Sequence, residues 1–176
     1  MQPISLALSE GFADAKLIST DQIPFNEMFR DFCAENLCGQ YGVNYACPPD
    51  CGTFAQMQQR VLSKKQALVV QSIWEIEDYM DTEAIKQAKG AHNAAMLRLV
   101  KQMRGQGVDC FMAGASGCAL CKPCKCKNAE PCAFPDLRYS CMSAYCIHVK
   151  LLADRCGMEY NTPPGLLAFF GMVLFD

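Results

Sequence analysis

The apolar positions fall into blocks whose period changes along the chain. Residues 11–20, GFADAKLIST, alternate as a strand does, with Phe12 and the Ala15–Ile18 region turned partly inward. In IPFNEMFRDFCAEN, Phe25, Met28, Phe29 and Phe32 recur at helical spacing, which puts Cys33 near a helix end. TFAQMQQRVLSKK reads as a helix with Thr53 near its start. QALVVQSIWEI, β-branched and apolar, reads as a buried strand. The longest helix is expected over Thr82–Arg104, with Asp81 as its N-cap and Gly105 or Gly107 ending it. VDCFMAG is a short strand. Ser140 is expected to cap a helix over CMSAYCIHVKLLADR that stops at Gly157, and PGLLAFFGMVLF closes as a strand. Strands separated by helices predict an α/β or α+β fold, a small sheet with packed helices forming a single domain over residues 1–176.

Two stretches escape both periods. One is CAENLCGQYGVNYACPPDC, where Gly39, Gly42, Pro48 and Pro49 break regular structure; the other is SGCALCKPCKCKNAEPCAFPDL. They define cysteine-rich loops at about 33–52 and 117–135. The second packs five cysteines into the fifteen positions from Cys118 to Cys132, a density open to disulfide, zinc, thiol-relay or iron–sulfur readings.

Composition narrows that choice. A chain of 176 residues, 51% hydrophobic, can bury a core without disulfide support. The opening MQPISLALSEGFADAK has no basic leader followed by a long apolar run, so no signal peptide is expected. GLLAFFGMVLF is too short to cross a bilayer, which takes ~20 residues, so no membrane partner is expected. The expectation is a cytoplasmic, reducing setting, where thirteen cysteines, an odd number, serve as metal ligands or redox groups. A net charge of −2 and the lack of a basic stripe interleaved with aromatics argue against a nucleic-acid partner.

Cys118, Cys121 and Cys124 stand at two-residue intervals, the pattern by which a tight loop presents sulfurs to different corners of a [4Fe–4S] cluster. Cys132, followed by Pro135, is the more distant fourth thiol. Zinc usually takes two pairs separated by a longer span. The close pair Cys124 and Cys126 departs from the ferredoxin run and also suits soft metal ions sharing thiolates. In the first loop, Cys33, Cys38, Cys47 and Cys51 supply four thiols within nineteen residues, enough for one four-coordinate ion or one cubane. Cys141, behind the expected cap Ser140, is a further ligand candidate, because a helix N-terminus favours thiolates and anionic clusters.

These motifs, CGQYGVNYACPP followed by GT and then GCALCKPCKCKNAEPCAFP, resemble a family of cysteine-rich predicted metal-binding proteins found mainly in anaerobic bacteria and methanogenic archaea. The resemblance runs from about residue 33 to FFGMVLF. It implies metal binding, most plausibly iron–sulfur, in an oxygen-poor cytoplasm, with Cys33, Cys38, Cys47, Cys118, Cys121, Cys124 and Cys132 at the matching positions. The family pattern has an acidic residue where Ser143 stands, glycine at Cys146 and aspartate at His148, and Cys51, Cys126, Cys141 and Cys146 look like additions.

Cys110 and Cys156 are expected to be core residues, and His92 and His148 packed side chains, although a diverged His148 could leave an iron site open. Lys122, Lys125 and Lys127 flank the second loop, where positive charge would raise a cluster's potential and dock an acidic partner. The reading is an iron–sulfur protein with one or two [4Fe–4S]-type clusters, handling electrons for a redox partner protein. The alternatives are a zinc-binding structural module, a soft-metal-handling protein, and an enzyme with an open iron site.

Overall fold

The computed structural model describes residues 2–176. Five strands, β1 (Asp14–Ser19), β2 (Gln66–Glu75), β3 (Cys110–Gly114), β4 (Ser140–Cys141) and β5 (Leu166–Phe175), form one mixed sheet in the order β1-β2-β5-β3-β4. The pairs β1–β2, β2–β5 and β5–β3 are antiparallel, and β3–β4 is parallel. The five helices are α1 (Pro3–Ser9), α2 (Phe29–Ala34), α3 (Phe54–Leu62), α4 (Thr82–Gly105) and α5 (Val149–Cys156). This is an α+β fold. No helix among the described residues is long and apolar enough to cross a membrane.

The unbroken apolar runs of β2 and β5 follow from burial on both faces. Leu68, Val70, Met112, Val173 and Phe175 pack with α1 and with Met96, Leu99, Val100 and Met103 of α4. Their strand neighbours Ala67, Val69, Phe170, Met172 and Leu174 pack with Met57 and Val61 of α3 and Leu152 and Ala153 of α5. Sheet and α4 approach closely at Gly171, where a Cβ would lie 2.2 Å from Met96 Sδ and 2.9 Å from His92 Nε2. Cys51 of the first cysteine loop packs on the α3/α5 side of the sheet, and Cys118 and Leu120 of the second pack on the α1/α4 side.

Several expected elements form where the pattern places them. Asp81 caps α4 by accepting from the N–H groups of Glu83 and Ala84. Thr53 opens α3 with a reciprocal box, its hydroxyl accepting from Gln56 N and its own N–H donating to Gln56 Oε1. Cys110 and Cys156 are buried, and so is His92, whose Nδ1 lies 2.6 Å from Ser72 Oγ. Two expectations are corrected. The helix read over IPFNEMFRDFCAEN shrinks to the six residues of α2, and Met28 and Phe32 are exposed by 71% and 64%; helical spacing did not report a buried face. Ser140 caps nothing: Ser140 and Cys141 pair with Ala113 and Gly114 as β4, residues 142–146 are turn, and Ile147 bridges to Phe25. The helix begins only at Val149, and its cap is His148, whose Nδ1 accepts from Leu151 N at 3.3 Å.

Candidate metal centres

All thirteen cysteines are free thiols. Eleven of them lie at or beside two loci, and the two loci touch.

The first locus is assembled from three segments. Cys33 comes from α2, Cys38 and Cys47 from the following loop, and Cys141 from the end of β4. Cys47 is buried, Cys33 and Cys141 are half-buried, and Cys38 is exposed. These four act on one another electrostatically. Burial, and then the charge of Cys141, push the Cys33 thiol up to about 11. Burial pushes Cys47 further up, reinforced by Cys141, Cys38, Cys51 and Cys33. Burial also raises Cys141, opposed by backbone N–H groups of Ala144 and Ser143, the former donating to its Sγ at 3.4 Å. The corrected helix start therefore leaves Cys141 with backbone donors after all, supplied by a turn instead of a helix.

Two more thiols border this locus and share one cation. Arg30 Nη1 donates to Cys51 Sγ at 3.6 Å and to Gly52 O at 3.1 Å, and its Nη2 donates to Ala144 O at 2.9 Å. Burial raises the Cys51 and Cys146 thiols, while the same guanidinium pulls both down. Cys146 holds φ +56°. That left-handed backbone is unfavourable for a residue with a Cβ, which gives a physical reason for glycine at the matching position of the resemblance. His148, engaged as the cap of α5, does not join the thiols.

The second locus comes from one loop. Cys118, Cys121, Cys124 and Cys132 line a single pocket, closed by Asn44 and Tyr45 of the first loop and by Arg138. Burial raises Cys118, and backbone N–H groups of Leu120 and Tyr139 oppose it. Cys126 turns to Asp50, and burial and that carboxylate together raise its thiol. Of the flanking lysines, Lys122 and Lys127 are exposed, whereas Lys125 Nζ is tied to Glu130 Oε2 at 2.8 Å.

The loci share a wall. Asn44 Nδ2 donates to Cys118 O at 2.9 Å, and the Tyr45 hydroxyl donates to Glu130 O at 2.8 Å. A Cβ on Gly117 would stand 3.1 Å from Cys47 Sγ. Asn44, Tyr45, Arg30 and Tyr145 were not singled out in the sequence, since their part depends on contacts across long stretches of chain.

Among the described residues, no group of three or more Cys, His, Asp or Glu side chains is set to hold a single metal ion; at the second locus the thiols ring a space instead of meeting at a point. The chemistry of the donor set fits a metal group. Buried thiols that repel one another as thiolates resist ionising, and a bound cation is what reverses that balance, since metal binding and thiol deprotonation are one linked step. No curated protein and no solved structure matches this chain. Residues 16–175 match the model of a family described as predicted metal-binding proteins (DUF2284). With that match spanning nearly the whole sequence and both thiol loci, the chain belongs to this family of predicted metal-binding proteins.

Proposed function

We propose that the protein binds iron–sulfur clusters at two four-thiol centres, Cys33, Cys38, Cys47 and Cys141 in the first and Cys118, Cys121, Cys124 and Cys132 in the second, and that it transfers electrons. The observation that carries this reading is the pocket lined by Cys118, Cys121, Cys124 and Cys132. It joins the two-residue spacing of a cubane-binding loop to a more distant fourth thiol on the same space. The backbone N–H groups facing Cys118 and Cys141 support it, because hydrogen bonds to sulfur stabilise cluster thiolates and set their potentials. A cluster, when bound, supplies one-electron redox chemistry; the chain supplies thiolates, backbone donors and a shared wall that keeps the two centres adjacent. Cys51 and Cys126 stay outside both ligand sets, held by Arg30 and Asp50.

The test is anaerobic purification followed by iron, zinc and acid-labile sulfide analysis with an absorption spectrum. About eight iron and eight sulfide per chain are expected for two cubanes, and about four of each would leave one cubane. Zinc without sulfide would refute the reading in favour of a structural or metal-handling protein.

A further inference from the structure

Among the described residues, three buried side-chain polar atoms have no hydrogen-bond partner: Arg30 Nε, His92 Nε2 and Tyr145 Oη. His92 lies in the apolar core, edge-on to Phe12 and Phe169. The other two belong to the first thiol locus. A buried donor left unpaired costs about 1–3 kcal/mol, so two at one place call for a cause.

Both groups are held where they are by contacts that do not satisfy these atoms. The outer nitrogens of Arg30 are fixed on Gly52 O and Ala144 O, and Nε is left over beside Cys51 and Cys146. Tyr145 is wholly buried, its ring stacked on Phe111 with centroids 6.5 Å apart and its backbone N–H on Cys141 O at 3.3 Å. Burial raises its phenol to about 12, and the charges acting on it next include Arg60, Cys51 and Cys141. At the second locus Asn44 Nδ2 is engaged with Gln40 Oε1 and Cys118 O, the Tyr45 hydroxyl with Glu130 O, and Lys125 with Glu130, while Arg138 lines the thiol pocket.

We infer that Arg30 Nε–H and Tyr145 O–H are donors reserved for sulfur of the group bound at the first centre, and that they raise its reduction potential. This rests on the iron–sulfur reading. Each donor, and the guanidinium charge with it, stabilises the more negative, reduced state of a sulfur-rich group more than the oxidised one. The acceptor is thus anionic sulfur, and the consequence is a first-centre potential set by two side chains outside its ligand set.

The experiment is a potentiometric titration followed by electron paramagnetic resonance on anaerobically purified protein. It compares the natural chain with Tyr145→Phe and Arg30→Lys, each also in a Cys124→Ser background that reports the first centre alone. Tyr145→Phe is expected to shift the first centre's redox equilibrium about tenfold towards the oxidised form, ~59 mV lower for one electron, with the second unmoved. Arg30→Lys, which keeps the charge but removes Nε–H, is expected to move it the same way. The metal-free Tyr145→Phe protein is expected to unfold at the same or higher denaturant concentration, because it loses only an unpaired hydroxyl. A first-centre potential unchanged in both variants, or a metal-free Tyr145→Phe protein that is weakened, overturns this inference and leaves the iron–sulfur reading standing. Zinc without sulfide in the natural protein overturns both.

Discussion

The proposed second centre draws its four thiols from the fifteen residues from Cys118 to Cys132, whereas the proposed first centre draws Cys33, Cys38 and Cys47 from one region and Cys141 from β4, at the edge of the sheet. One is a loop that closes on itself. The other exists only when β4 is paired to β3 and α2 is docked by Arg30. The lesson is that two motifs of similar cysteine content can depend on the fold to different degrees. The second centre asks the scaffold for a wall, Asn44 and Tyr45, while the first asks it for a ligand.

Direct removal of a thiol breaks this comparison most severely. Cys47→Ser and Cys124→Ser are each expected to lose about half the bound metal, measured as iron per chain, with the loss confined to the variant's own centre. If Cys47→Ser emptied both, the shared wall at Gly117 would be a common ligand shell. Damage to the scaffold should separate the centres next. Gly171→Ala forces a Cβ against Met96 Sδ and His92 Nε2, and a loss of roughly 3 kcal/mol is expected in a urea titration. During that titration the first centre's spectrum should disappear with the sheet, ahead of the second's.

Acid should act through His92 with a similar size. Burial lowers its pKa from the ordinary 6.5 to about 4, so the folded state holds it neutral. Its stabilisation is complete above pH 6.5 and is lost as pH falls towards 4, by roughly 3 kcal/mol, with no further loss from this group below that. Urea midpoints of the metal-free protein at pH 7, 5.5 and 4 measure it, and a flat profile would show that the imidazole is not confined as described. The smallest effect is expected from Thr53→Ala. Removing the capping box of α3, next to the Gly52 carbonyl that holds Arg30, should cost about 1 kcal/mol and perturb the first centre's spectrum alone.

The amino-acid pattern made the scaffold legible because β2, α3, α4 and β5 carry their own signals: unbroken β-branched runs, a long helical period, and caps at Thr53 and Asp81. It made the second centre legible for a related reason, since Cys118, Cys121, Cys124 and Cys132 are local. The stretch 140–148 misled. Ser140 has the residue type of a cap, but its backbone is claimed by pairing with Ala113, and the cap role passes to His148. Phe32 and Met28 misled too, because helical spacing measures periodicity and says nothing about whether a second layer covers the face. Arg30 and Tyr145 could not be picked out at all: one guanidinium reaches from residue 30 to residue 144, and no local signal announces such a contact.

The position of β5 has a consequence in time. It lies between β2 and β3, so the pair β1–β2 and the pair β3–β4 have no strand-to-strand contact except through it. It also follows every cysteine in chain order. During synthesis, all thirteen thiols therefore leave the ribosome before the strand that unites the sheet. The second loop is finished at Cys132 while Cys141 is still to come. A growing chain thus offers a nearly complete local nest well before a completed distant one, and cellular delivery of metal is expected to fill the second centre before the first.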